Sequence, residues 1–345
     1  MAIDEDENYY LTGTGGIWCV RRNGEAIGFI PVPEFVSNVC FGGPDGKWLF
    51  ATCQNVVYRL KMKVGGHFVG PLNRWNHAGR SLPKLLQHSS YQSSSMNTEV
   101  GYSYWLPPQY KTDQAQRYPV LYWLHGLGGN EIGDDYPVSV ISERVQSGKI
   151  PPMILVQVNA GARSVYADSW DREWLAETTI IQELLPHIDG KFRTRPDRSG
   201  RAIQGMSMGG EGAIRFALKY PNLFSSAIGY AGGYVSHSVL KRYRPRIFRE
   251  MFNDNPEHFE KFMTHSYIPT EQVDPSIVFP KIRLICGTAD DSISLQRQIA
   301  DRCLKANVPV EVIEIPGIGH DCRALAERPD SDDIEYAVSG FSNVQ

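Results

Sequence analysis

The chain is poor in the features that mark several large protein classes. Over its 345 residues no apolar stretch approaches the ~18 residues of a membrane-spanning helix, so no membrane partner is expected. No basic run occurs. Lys and Arg total 35 against 38 Asp and Glu, a net charge of −3, which gives nucleic acid no electrostatic footing. The six cysteines, at 19, 40, 53, 286, 303 and 322, match no zinc-binding spacing, and a disulfide among them stays open. The opening residues, MAIDEDEN, are acidic and have no apolar segment, so they do not form a secretory leader. The chain is expected in the cytoplasm unless a leader has been removed.

Glycine, by contrast, is plentiful at 32 residues, and its most informative placement is Gly205-Met206-Ser207-Met208-Gly209, followed by Gly210. A Gly-x-Ser-x-Gly pattern alone means little. Between a strand and a helix it sets the serine on a sharp turn with its hydroxyl exposed. The flanks supply both elements. Residues 200–204 (GRAIQ) lead in as a short buried strand. Residues 211–219 carry Ala213, Ile214, Ala217 and Leu218 at helical spacing, and Tyr220-Pro221-Asn222 stops the helix. Side chains at 205 or 209 would clash with the neighbouring strand and helix. The plainer alternative is a glycine-rich loop with a solvent-facing serine.

A nucleophilic serine needs a base, and the base needs an orienting carboxylate. In a strand–turn–helix setting the chain order is Ser, then Asp or Glu, then His. Residues 282–286 (IRLIC) form an apolar strand that runs into Gly287-Thr288-Ala289-Asp290-Asp291. Residues 310–315 alternate as a strand and end in Pro316-Gly317-Ile318-Gly319-His320. Among the nine histidines, only His320 combines a late position with a loop after a strand. His187 lies in a helix, His67, His77 and His88 precede the relevant strands, and His237, His258 and His265 lie in a polar insertion. The expected triad is Ser207, Asp290 and His320, with Asp291 the alternative acid.

The strand at 118–124 is followed by His125-Gly126-Leu127-Gly128-Gly129-Asn130, a loop able to turn backbone N–H groups towards a developing oxyanion. The N–H groups of Leu127 and Met208 are the candidates, and an ordinary strand-to-helix turn is the bland alternative. Tyr166, Trp170 and Trp174 follow the strand at 154–158 in a loop that could edge a cleft. Their rings would suit a sugar or an aromatic acyl group, and core packing is the competing reading.

The organisation is α/β, a mostly parallel sheet covered on both faces, preceded by a small antiparallel β segment. Residues 1–70 read as a β-meander of short strands separated by turns such as Arg22-Asn23-Gly24. Residues 71–98, rich in Ser, Asn, Gln and Gly, read as a linker and approach loop. The catalytic domain is expected over 99–345, with an insertion at about 233–280 lying over the active site or the domain edge.

Residues 95–328 resemble the esterase D / feruloyl esterase family, which includes carbohydrate esterase family one. The matching segments are 118–129 (YPVLYWLHGLGG), 183–194 (ELLPHIDGKFRT), 205–210 (GMSMGG), 287–290 (GTAD) and 319–320. The resemblance implies an α/β-hydrolase fold without cofactor or metal. It implies hydrolysis of carboxylic esters, commonly acetyl or feruloyl groups on carbohydrate, or small acyl thioesters and formyl esters. An acyltransferase on the same triad, an S-formylglutathione-type thioesterase and a non-catalytic binding module are the alternatives. Residues 15–21 and 37–60 resemble the final blade of the gluconolactonase/regucalcin propeller family. Only about one blade is present, too little for that fold's core or metal site. The segment is expected to pack on the hydrolase, to pair with a second copy through its strand edges, or to be the remnant of a longer fusion.

Overall fold

The structure is a computed structural model that describes residues 1–345 except 5, 7, 14, 44–46, 66–74, 79–81, 271–276 and 342–345. Residues 44–46 of the expected meander and parts of the expected linker and insertion thus lie outside the described residues. The chain forms two compact units, Met1–Arg74 and Trp75–Gln345.

The first unit holds two antiparallel sheets rather than one meander. Strands β1 (Ala2–Ile3), β2 (Tyr9–Gly13), β3 (Gly16–Val20) and β4 (Ala26–Pro31) pair in sequence order, and β5 (Asn38–Gly42), β6 (Trp48–Thr52) and β7 (Val57–Lys61) form a separate three-stranded sheet. Tyr10, Ile17, Val39, Leu49 and Ala51 from both sheets share one small core. The second pair of strands matches the turn chemistry of Asn23-Gly24, where Gly24 takes φ +89°.

The second unit is built on an eight-stranded sheet. Its strands are β8 (Gln87–Ser93), β9 (Thr98–Trp105), β10 (Val120–Leu124), β11 (Ile154–Val158), β12 (Arg201–Met206), β13 (Ser226–Tyr230), β14 (Lys281–Gly287) and β15 (Val310–Ile315), in the spatial order β15-β14-β13-β12-β10-β11-β9-β8. Strands β10 to β15 are parallel, while β8 and β9 are antiparallel at one edge. The segment expected as a linker therefore contributes β8. Its polar sequence, QHSSYQS, fits an edge strand whose side chains are largely in contact with water.

Burial on both faces explains the apolar runs of the central strands. Along β10, Val120, Tyr122 and Leu124 enter the core of one face, and Leu121 and Trp123 enter the core of the other. The same alternation recurs at Ala202 and Ile203 of β12 and at Leu284 and Ile285 of β14. The helix Met208–Lys219 follows β12 and packs Ala213, Ile214 and Phe216 into the first core. Residues of the expected insertion form three short helices, His237–Tyr243, Pro245–Phe252 and Pro256–Phe262, around their own cluster of Phe248, Phe252 and Phe259. No helix among the described residues is long and apolar enough to cross a membrane. All six cysteines are free thiols.

Candidate active site

The parallel strands all deliver their C-terminal ends to one edge of the sheet, where ligands bind in open α/β folds. Ser207 lies there, between β12 and the helix Met208–Lys219, with φ 54° and ψ −115°. A non-glycine residue in this region carries strain. The reason for the surrounding glycines is steric. A Cβ on Gly205 would stand 2.4 Å from the carbonyl oxygen of Gly209, one on Gly209 would stand 2.2 Å from that of Leu124, and one on Gly210 would stand 2.9 Å from that of Tyr230. All three obstacles are backbone atoms, which cannot rotate away.

The structure brings the three expected triad members together. Ser207 Oγ lies 2.9 Å from His320 Nε2, and His320 Nδ1 lies 2.7 Å from Asp290 Oδ2. His320 follows β15 on a turn and is half exposed, whereas Asp290 is buried at the end of β14. Asp290 Oδ1 accepts hydrogen bonds from the Ser292 N–H (2.8 Å) and hydroxyl (2.7 Å). Burial alone would raise the Asp290 pKa. The bonds from Ser292 and His320 outweigh it and hold the carboxyl below the usual carboxylate range. Asp291, the alternative acid, is exposed on the cavity wall and has no recorded bond to His320. A close approach explains Gly287: its Cβ would fall 1.9 Å from the carbonyl oxygen of Ile318, in the turn that carries His320.

Leu127 and Met208 both line the cavity at Ser207. Met208 opens its helix, where the first N–H groups have no intrahelical acceptor. Neither N–H donates to a backbone carbonyl among the described residues. The loop bearing Leu127 is tied down from below. His125 is buried, its Nδ1 donates to the Gly126 carbonyl (2.8 Å), and its Nε2 accepts from the Ala160 N–H (3.3 Å), which fixes one neutral tautomer. Burial pushes its pKa down accordingly. Further along the loop, the buried Glu131 carboxylate accepts from the His77 N–H (2.7 Å) and from Asn159 (2.7 Å), and contacts the rings of His77 (2.8 Å) and His88 (3.1 Å). Burial opposes its ionisation, but the hydrogen bonds from His77 and His88 prevail and bring its pKa down to about 2.

Two expected substrate contacts are corrected. Tyr166 is wholly buried, with its hydroxyl donating to the His125 carbonyl (2.9 Å) and its ring packed against Phe216. It supports the loop from the core and does not face the cavity. Trp170 is 47% exposed but does not line the cavity, and its N–H is engaged by the Met251 carbonyl. Trp174 packs edge-on against Trp75.

The cavity itself has a volume of about 650 Å³. One wall is apolar and comes from the insertion, with Val239, Leu240, Ile247, Phe252, Phe259 and Met263. The sequence left the insertion either over the site or at the domain edge and named none of these side chains. They are spread over three short helices, so no single helical repeat in the sequence links them. Glu211 also went unnamed; it lies one helical turn after Ser207, lines the cavity, and is 5% exposed.

A mostly parallel sheet with a serine on a strained turn, a histidine within hydrogen-bond reach and a buried aspartate behind it defines the serine-dependent α/β-hydrolases as a class. Residues 93–279 match the Esterase family model, and the chain belongs to that family. It is 30% identical over 280 residues to Esterase Rv1288 of Mycobacterium tuberculosis, an alignment covering 72% of this chain and 58% of that protein. It is 29% identical over 199 residues to an endo-1,4-beta-xylanase/feruloyl esterase of Xylanibacter ruminicola, covering 54% of this chain and 26% of that one. The chain thus spans little more than half the length of its mycobacterial relative. A solved ferulic acid esterase shares the fold, with a TM-score of 0.63 at 23% identity over 74% of this chain and 98% of that one. The family match begins at residue 93 and so lies wholly in the second unit.

Proposed function

We propose that the protein hydrolyses carboxylic esters through an acyl-enzyme on Ser207, acting on small acyl or aromatic acyl esters of an alcohol such as a carbohydrate. The observation that carries this reading is the Ser207–His320–Asp290 hydrogen-bond chain, open to a cavity of 650 Å³. Ser207 Oγ attacks the ester carbonyl as His320 Nε2 takes its proton. Asp290 keeps the Nδ1–H tautomer and stabilises the imidazolium. The N–H groups of Leu127 and Met208 bind the tetrahedral oxyanion. His320 then returns the proton to the leaving alcohol, and water repeats the cycle on the acyl-enzyme.

The family membership and the names of the feruloyl esterase relatives support the ester class, and no metal or cofactor has a part in these steps. The Ser207→Ala variant is expected to lose p-nitrophenyl acetate hydrolysis and fluorophosphonate labelling while melting like the parent chain. Turnover near the parent rate would overturn the assignment. A panel of acetyl, butyryl, feruloyl and formyl-thioester substrates ranks the acyl groups. Association of copies through the first unit, where Trp18, Ile27 and Phe29 are exposed, belongs to the same proposal and is read by light scattering.

A further inference from the structure

The apolar cavity contains one buried carboxyl that the ester chemistry does not use. Glu211 sits in the first turn of the helix that Ser207 opens, and its N–H donates to the Ser207 carbonyl (3.1 Å). Its Oε1 is buried without a hydrogen-bond partner. The groups facing it are few. Arg215, one turn further along the same helix, is buried beneath it. The guanidinium of Arg215 donates to the Val165 and Tyr166 carbonyls, which leaves its Nε without a partner. Thr264 approaches from the 3-10 turn Thr264–Tyr267, with its own Oγ1 unpartnered, and the unpartnered Tyr234 hydroxyl lies nearby. A carboxyl with one oxygen unpaired in such a place costs stability unless something fills it.

The position relative to the triad sets which part of a substrate would reach it. The helix bearing Glu211 packs Met208, Ala213 and Ile214 into the core on one face of the sheet. Ile318 and Cys322, on either side of His320, pack against the core of the opposite face. The leaving alcohol departs beside His320, so the group that meets Glu211 is the acyl group. The main chain of Gly233 is the link that places the Glu211 carboxyl near Ser207. A Cβ on Gly233 would touch both neighbours, at 3.9 Å from the Ser207 carbonyl carbon and 4.0 Å from Glu211 Oε2. The phenol of a cinnamoyl group lies a ring and a propenoyl link beyond its carbonyl and would pass Glu211 towards the apolar wall. Charge narrows the class further. Arg215 faces both Glu211 and Glu177 (3.9 Å), and Glu177 also pairs with Lys219, so the four charges cancel and neither a cationic nor an anionic acyl group gains, whereas a neutral hydroxyl can bond to Glu211.

Building on the hydrolase reading above, we infer that Glu211 is a specificity-determining residue that bonds the hydroxyl of a short acyl group hydroxylated within two carbons of its ester carbonyl. Esters of 2- or 3-hydroxy acids are the substrate class this implies. The test uses the full chain and two matched pairs: p-nitrophenyl 3-hydroxybutyrate against butyrate, and lactate against propionate. The expected result is a kcat/KM at least tenfold higher for the hydroxylated member of one pair. Glu211→Leu should bring that ratio to near one, and Glu211→Gln should keep part of it. Fluorophosphonate labelling of Ser207 in each variant reports an intact elbow. A parent-chain ratio near one in both pairs overturns the inference while leaving the hydrolase reading standing, as does a ratio that survives Glu211→Leu. Absence of both labelling and hydrolysis in the parent chain overturns the hydrolase reading and this inference with it.

Discussion

Replacing Gly209 by alanine tests the elbow more sharply than any change at the serine itself, because it adds one methyl group and removes nothing. That methyl would meet the Leu124 carbonyl oxygen at 2.2 Å, its carbon at 2.6 Å and the His125 carbonyl oxygen at 2.7 Å. Carbon contacts settle near 3.5–4.0 Å, so the backbone must part by roughly 1 Å. The atoms that must move belong to the end of β10 and the start of the Leu127 loop, both fixed by neighbours. Overpacking of this kind typically costs about 1–3 kcal/mol, and rigid backbone on both sides puts Gly209→Ala at about 3 kcal/mol or more. At about 2–4 °C per kcal/mol for a domain of this size, the melting midpoint should fall by about 6–12 °C. A shift of about 1 Å in the oxyanion loop should also lower kcat/KM on p-nitrophenyl acetate by about 100-fold. Gly190, in the helix Leu185–Lys191, is the control, since a Cβ there meets nothing within 4 Å. Gly190→Ala should be neutral or stabilising by about 0.5–1 kcal/mol with unchanged turnover. Thermal unfolding by circular dichroism and ester hydrolysis read both variants. A Gly209→Ala chain that melts within about 2 °C of the parent and turns over normally would refute the steric reading.

Three further outcomes are expected. Asp290→Asn should leave the fold intact and reduce kcat by about 10⁴-fold through the wrong His320 tautomer. Asp291→Asn should cost little, and the reverse order would reassign the acid. Burial raises the Glu211 pKa to about 7, against the pull of Arg215 and Thr264, from an ordinary value of 4.5. The folded state then holds more protons than the unfolded state between those values, so this group's stabilisation is full below 4.5 and is lost as pH rises through 7. Urea unfolding should show Glu211→Gln gaining up to about 3 kcal/mol on the parent at alkaline pH, and nothing at acid pH. Glu131 has the opposite sign. With its pKa held at about 2 against an ordinary 4.5, it stabilises above 4.5 and ceases to as pH falls towards 2. Glu131→Gln should therefore flatten the acid limb of the stability curve, and an unchanged limb would show that the His77 and His88 bonds contribute nothing net.

The parallel sheet and the order of the triad were legible because the buried strands are short, mostly apolar runs, unbroken in β10 and interrupted by single polar residues in β11, β12 and β14. The runs at β10, β11, β12 and β14 end at His125, Asn159, Ser207 and Thr288, so the polar residue after each run marks the functional edge. Edge strand β8 was not legible, since QHSSYQS has the composition of a loop, and its pairing with β9 rests on backbone bonds and on polar side-chain contacts such as Ser90–Glu99 and Gln87–Tyr104. Tyr166 was misread for a different reason. It occupies a loop with φ 56°, a conformation that no sequence pattern announces, and that turn directs the ring into the core. The insertion helices are only seven or eight residues long and are held by one another's phenylalanines, so their inward faces follow from tertiary packing rather than from helix propensity. Glu211 went unnoticed because an acidic residue in the first turn of a helix is ordinary.

That last position also explains how the strained serine and the buried carboxyl coexist. The backbone of Ser207 costs about 1–3 kcal/mol in its left-handed conformation. Three backbone hydrogen bonds hold it there: its N–H donates to the Tyr230 carbonyl (2.8 Å), and its own carbonyl accepts from Glu211 (3.1 Å) and Gly233 (3.1 Å). At about 0.5–1.5 kcal/mol each, they offset the strain without help from substrate. The turn is therefore set before an ester arrives. Because the bond from Glu211 is one of the three, that residue's backbone is committed to the elbow while its side chain is left inside the cavity. The helix N-terminus favours its ionised form and burial favours its neutral one. A side-chain change at 211 should accordingly alter which acyl group is accepted and the pH dependence of stability while leaving the main-chain bond to Ser207 in place.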